Sequence, residues 1–172
     1  TFSWDAEKFW FGNTLNFSNN NSLDSLADST RPYYTYFGSL IWAFFWKISF
    51  IENEYVGRLF YAFIYILSIF FLLDNFKISK ILKSIFILLI ILSTYDYDLL
   101  FSGNQEIIIF SLICFSMGYL YKLKFKEKKY ENYYITNLLL ISNLLVWTKQ
   151  EGLIYSLILV LTLCLFFKLD SK

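Results

Sequence analysis

Tyr55-Val56-Gly57-Arg58-Leu59-Phe60-Tyr61-Ala62-Phe63-Ile64-Tyr65-Ile66-Leu67-Ser68-Ile69-Phe70-Phe71-Leu72-Leu73 is the stretch that decides the fold. It is apolar on every face and carries one charge, near its start. At 1.5 Å of rise per residue it is long enough to cross the roughly 30 Å hydrocarbon core of a bilayer as a helix. The rest of the chain has the same character. Of its 172 residues, 57% are hydrophobic, 23% are aromatic and 17% are charged, and the mean hydropathy is +0.48. A soluble domain carries about 25% charged residues. Here the charges gather between long apolar runs. The expected fold class is therefore an all-α, polytopic transmembrane helical bundle.

Outward from that stretch, the apolar runs alternate with polar segments of alternating sign. Gly38 to Ile51 is apolar and aromatic but short, and it contains Lys47. Asp74 to Lys83 carries Lys77, Lys80 and Lys83 against Asp74, a net of +2. Ile78 to Ser93 reads as a further span. Thr94 to Glu106 holds Asp96, Asp98 and Glu106 with no base, a net of −3. Ile107 to Leu120 is another span. Lys122 to Glu131 sets five Lys against two Glu, a net of +3. Tyr133 to Phe167 is too long for one spanning helix. It is interrupted by Lys149-Gln150-Glu151-Gly152, where two helices are expected to meet. Basic loops stay cytoplasmic. That puts 74–83 and 122–131 inside, and 94–106 with the Lys149–Gly152 break outside. The first loop shares the outer side if Gly38–Ile51 is re-entrant or interfacial rather than a full crossing, which is the preferred solution.

Residues 1–36 form the one long polar segment, with four acids against two bases. The division expected is 1–36 as an extracytoplasmic catalytic loop and 37–172 as the helical bundle. Within Trp4-Asp5-Ala6-Glu7-Lys8-Phe9-Trp10 and the residues after it, Trp4, Phe11 and Leu15 share a helical face, which suits an amphipathic helix at the membrane interface. Asn19-Asn20-Asn21-Ser22 reads as a break and a helix start. Leu23, Leu26 and Ala27 suggest a second short surface helix. The chain begins with Thr and stops soon after an apolar run, so a piece of a longer protein is expected. Abundant Ile, Phe, Lys, Asn and Tyr suggest an AT-rich genome.

Several chemistries are excluded. With no His, His-based metal sites and catalytic triads are impossible. No Gly-rich phosphate loop or metal motif is present, and no basic, aromatic-interleaved patch suggests nucleic acid. Cys114 and Cys164 both lie inside apolar runs and are expected to be free. The ionisable groups that interrupt or border the apolar runs are the functional candidates: Asp5 with Glu7, Asp96 with Asp98, Glu106, and Lys149 with Glu151. Each also has an ordinary explanation. Acids are common in wet loops, Glu106 suits a helix start, and Lys149 with Glu151 suits an internal ion pair. Together, however, they fit one reaction class. A carboxylate can take the proton from an acceptor as it attacks an electrophilic carbon, and a Lys can hold the phosphate of a departing lipid.

Four stretches resemble the membrane-embedded glycosyltransferases of the GT-C fold, in particular the protein mannosyltransferase-like and aminoarabinose-transferase-like group. Trp4-Asp5-Ala6-Glu7-Lys8-Phe9-Trp10 resembles that group's first-loop W-D-A-x-x-F-W. Arg31-Pro32-Tyr33-Tyr34-Thr35-Tyr36 resembles its H-P-x-Y-P, Ser102-Gly103-Asn104-Gln105-Glu106-Ile107 its S-G-Y-A-D/E-I, and Trp147-Thr148-Lys149-Gln150-Glu151-Gly152-Leu153 its T-K-x-E-G-L. Arg31 stands where the family has His, and Asn104-Gln105 replaces the usual Tyr-Ala, which leaves the acceptor open.

The resemblance implies a partial GT-C bundle that moves a sugar from a polyprenyl-phosphate carrier to a lipid, glycan or protein acceptor at the extracytoplasmic face. Asp5 would be the catalytic carboxylate and Glu106 the second-loop acid, which in metal-using relatives binds a divalent cation. Lys149 would contact the lipid phosphate. Glu7, Arg31 and Glu151 would line the substrate site, and Arg58 would be structural. No other cofactor is implied. The expected location is a multi-pass position in a bacterial inner membrane, with a role in the cell envelope. Two other readings of the charges remain: a transporter or flippase for a lipid-linked saccharide, and a polysaccharide polymerase or ligase of another membrane fold.

Overall fold

The computed structural model describes residues 3–28, 35–49, 53–95, 100–125 and 128–170. Its helices are α1 (Phe11–Ser18), α2 (Phe37–Ile48), α3 (Glu54–Leu73), α4 (Lys80–Tyr95), α5 (Glu106–Phe125), α6 (Glu131–Thr148) and α7 (Gly152–Asp170). A π-helical turn, Ala6–Trp10, leads into α1, and 3₁₀ turns cover Leu23–Asp28 and Lys128–Tyr130. Among the described residues there is no strand. Arg31, Asp96 and Asp98 lie outside the described residues.

Among the described residues two helices, α3 and α5, are long and apolar enough to cross a membrane, each at 20 residues. The sequence suggested more crossings. The 16 residues of α4, expected as a span, rise about 24 Å, short of a hydrocarbon core, whereas the 12 of α2 rise about 18 Å, in keeping with a segment expected not to cross fully. The long apolar stretch after Tyr133 breaks where its polar residues fall. α6 ends at Thr148 and α7 starts at Gly152, with the Gly152 N–H donating to the Lys149 carbonyl at 2.9 Å.

α3, α5, α6 and α7 pack in sequence, and α2 joins α1 to α3. Side-chain packing explains the order. Leu138, Ile141 and Leu145 of α6 are buried with Ile107, Ile108 and Leu112 of α5, and Leu159 and Leu163 of α7 complete that side. Tyr61 and Tyr65 of α3 close the core toward α5, with Tyr65 5.6 Å from Phe110. α4 touches mainly α3 and leaves Ile81, Ile85, Leu88 and Leu89 exposed.

The first helix packs into the fold through a face other than that of Trp4 and Leu15, which the sequence assigns to the membrane interface. Trp4 is 66% exposed and Leu15 37%, whereas Ala6, Trp10, Asn13 and Thr14 are buried. Both faces carry aromatic residues, so hydrophobicity alone does not choose between them. Polar contacts do: the Trp10 carbonyl accepts from Thr14 Oγ1 at 2.9 Å and from Ser39 Oγ at 3.0 Å, tying the helix to α2. The chain breaks after Ser18, as the Asn run suggested, and Asn20 adopts a positive φ of 61°.

Arg58 is structural. It is buried, pairs with Glu54 at 2.7 Å, donates to the Phe101 carbonyl at 2.6 Å and lies over the Tyr55 ring at 4.8 Å. Its charge is thus compensated within the fold, as a buried guanidinium requires. Cys114 and Cys164 are free.

Candidate functional site

The loop before α5 is the hub from which the site is built. Gly103 has φ +85°, a conformation that favours glycine. A Cβ there would meet the buried Trp42 ring at 2.8 Å. That turn lets the chain enter α5 with Gln105 facing inward and Glu106 facing out. Gln105 is fully buried, and its amide donates to the Tyr61 hydroxyl at 3.0 Å. Tyr61 in turn donates to the Gly38 carbonyl at 2.6 Å. This relay joins α2, α3 and α5 immediately beside Glu106.

The N-terminal segment is fastened to the same loop. The Ser3 N–H donates to the Ser102 carbonyl at 3.2 Å, and Ser3 Oγ donates to Asn104 Oδ1 at 2.5 Å. Ser3 also starts the helix, since the Ala6 N–H donates to its hydroxyl at 3.1 Å. In the next turn the Phe11 N–H reaches back to the Ala6 carbonyl, a π-type bond. Asp5 stands at the head of this turn, exposed.

Lys149 caps the C-terminal end of α6 with extended backbone. It meets Glu106, the first residue of α5, in a short ion pair, and Glu151 at 3.7 Å. Its side chain is 19% exposed, against 50% for Glu106. Burial pulls the Lys149 pKa down. The hydrogen bond and charge of Glu106, with the charges of Glu151 and Asp5, more than reverse this, and the ammonium is held above its ordinary value of 10.5. Glu106 and Glu151 thus hold the ammonium directly, and the Asp5 charge adds to the field on it.

Beside this cluster lies a cavity of about 320 Å³. Glu106, Lys149, Glu151 and Tyr155 form its polar wall, and Ile109, Phe110 and Ile113 its apolar one. Ile113 and Tyr155 also line a second cleft of about 350 Å³. That cleft is bounded by Met117 and Leu120 of α5, Leu145 of α6, and Ile158, Leu159 and Thr162 of α7. The charged pocket thus adjoins an apolar cleft between α5 and α7, the two sharing Ile113 and Tyr155.

The chain matches no family model, no curated protein and no solved structure. The placement of the site residues therefore rests on this geometry. The structure brings Glu106, Lys149 and Glu151 into contact and sets Asp5 close enough for its charge to bear on Lys149. Asp5 is not among the residues lining the cavity. Glu7 is exposed and likewise is not in the cavity wall.

Residues that sequence reasoning missed are Tyr155, Gln105 and Ser3. Tyr155 had a signal, because it follows Glu151 by four residues and so shares its helical face. Gln105 and Ser3 act through contacts to residues 44 and 101 positions away, and no local pattern announces those. Among the described residues no group of three or more His, Cys, Asp or Glu side chains is placed to hold a metal ion. The acids here are arranged around an ammonium instead.

Proposed function

We propose that this chain is a multi-pass membrane glycosyltransferase that moves a sugar from a polyprenyl-phosphate carrier to an acceptor at the extracytoplasmic face. The observation that carries the reading is the junction of the Lys149 cluster with the α5–α7 groove. A charged pocket adjoining an apolar groove suits an amphiphile with an anionic head and a hydrocarbon tail. In this reading Lys149 holds the phosphate and stabilises the charge that builds on it as the glycosidic bond breaks. Asp5 takes the proton from the acceptor. Glu106 is a supporting acid, and Glu7 and Glu151 belong to the surrounding substrate surface.

Two further features favour a membrane setting. The outward faces of α4 and α7 carry large apolar side chains, with Ile81, Leu88, Leu92, Ile154, Leu157 and Leu161 each more than half exposed. Soluble proteins rarely expose continuous patches of that kind. Lys149 and Glu106 also sit at helix ends rather than mid-helix. That supports a reaction at one interface over a transport pathway, which would need such charges at the bilayer centre.

The test is transfer from a radiolabelled polyprenyl-phosphate sugar in membranes containing the protein, compared with Asp5→Asn at equal abundance. Loss of general-base catalysis is expected to lower transfer by about 10²–10⁴-fold. Equal transfer by both proteins would remove Asp5 from the chemistry. No transfer from any carrier would shift the weight to a lipid-linked saccharide transporter.

A further inference from the structure

We infer that Glu106 is a built-in competitor for the phosphate seat on Lys149, so that the carboxylate must leave the ammonium before an anionic lipid head can bind. The inference rests on the proposed lipid-phosphate reading and adds a control step to it. Three observations support it. First, Lys149 is not a vacant cation: its Nζ donates to Glu106 Oε1 and lies 3.7 Å from Glu151. Second, with Asp5 also bearing on it, the cluster holds one positive and three negative charges. A phosphate that simply joined the cluster would meet more repulsion than one that replaces Glu106 on Lys149 and takes over its hydrogen bond.

Third, the two acids are not equivalent. Glu106 makes the hydrogen bond to Lys149, whereas Glu151 lies farther off. Glu106 is half exposed, so turning it toward water costs little burial. It is also the first residue of the 20-residue α5. The positive end of that helix stabilises a carboxylate that has left the lysine. Glu106 therefore has a bound position on Lys149 and an alternative position at its own helix terminus. A neutral amphiphile would gain nothing from displacing it, so the same contact selects for a charged head.

The experiment is equilibrium binding of radiolabelled farnesyl monophosphate to the full chain in nanodiscs of zwitterionic lipid. Farnesol, farnesylamine and inorganic phosphate serve as comparison ligands. Glu106→Gln removes the competing charge and is expected to bind farnesyl monophosphate about tenfold more tightly than the unaltered chain, a coupling of ordinary size. Glu151→Gln should gain less, and Lys149→Gln should lose the preference for farnesyl monophosphate over farnesol. Equal or weaker binding by Glu106→Gln, with the preference over farnesol intact, would overturn the competitor role and leave the phosphate site standing. No preference over farnesol in either protein would overturn the lipid-phosphate reading itself, and the competitor with it. A preference for farnesylamine that Glu106→Gln abolishes would do the same, by making the site a cation seat. Inorganic phosphate binding as tightly as farnesyl monophosphate would remove the groove from recognition. Should Glu106→Gln not fold, Glu106→Asp shortens the reach to Lys149 and should still tighten binding; unchanged or weaker binding by that variant would count against the competitor.

Discussion

Lys149 shows at the scale of one residue how a partly buried charge is maintained. Water is largely withdrawn from it, which by itself favours the neutral amine. Glu106, Glu151 and Asp5 supply the opposing field, and the net result is a raised pKa. The sign of the pH dependence follows. A group whose pKa is raised by folding contributes stability that is fully present below its unfolded value, here the ordinary 10.5, and lost as pH rises through the folded value. The unaltered chain and Lys149→Gln should therefore differ in thermal stability by a constant amount from neutral pH to about pH 10, and the gap should shrink above that. Melting temperatures in detergent at stepped pH would measure this. A gap that instead narrowed on acidification from pH 8 to pH 6 would mean that the lysine is not paired as described.

At the scale of the element, glycine positions test the packing of neighbouring helices. Gly152 opens α7 directly against α6, and a Cβ there would fall within contact distance of the Leu145 carbonyl. That obstacle is backbone, so the α6–α7 pair would have to shift. Ser142 and Ser156, 2.7 Å apart in the same interface, would shift with it. Gly12, on α1, has open space where its Cβ would go. Gly152→Ala is expected to cost about 1–3 kcal/mol, as overpacking does. Gly12→Ala is expected to be neutral or to stabilise by up to about 1 kcal/mol through helix propensity. Thermal unfolding of the two variants side by side would check both, and comparable stability would mean that α6 and α7 do not approach so closely.

The elements also show what was legible in the chain. The α6–α7 break was readable because four polar or flexible residues stand in otherwise apolar sequence. α3 was readable because its length and composition allow little else. The face of the first helix that packs into the fold was not, because both faces carry a Trp and the contacts that bury Trp10, the Ser39 hydrogen bond among them, come from residues far along the chain. The grouping of Glu106 with Lys149 and Glu151 could be suspected from charge, yet their contact spans 43 residues. Nothing local to either residue specifies it. The relay from Gln105 through Tyr61 to Gly38 had no sequence signal either, since a buried Gln is a feature of the assembled interface.

The whole molecule has two charged ends. Glu106 starts α5 and Lys124 stands near its last residue, Phe125. Eighteen residues of helix separate them by about 27 Å, close to the thickness of a hydrocarbon core. The first end carries Glu106 and Glu151 on Lys149, with the Asp5 charge bearing on the same ammonium. The other carries Lys122 and Lys124, with Lys129 shortly beyond. In the proposed membrane setting, the distribution of lysines predicts that the lysine-rich end is cytoplasmic. Single cysteines introduced as Glu7→Cys, Glu151→Cys and Lys129→Cys, in a background of Cys114→Ala and Cys164→Ala, convert this into a labelling experiment on intact cells. A membrane-impermeant maleimide should reach the cysteines at 7 and 151 from outside, and the one at 129 only after the membrane is opened. Labelling of all three in intact cells would remove the bilayer from between the two ends. Labelling of 129 alone would invert the molecule and place the proposed transfer on the cytoplasmic face. Opposite labelling of 7 and 151 would separate Asp5 from Lys149 and remove the shared site on which the proposed mechanism depends.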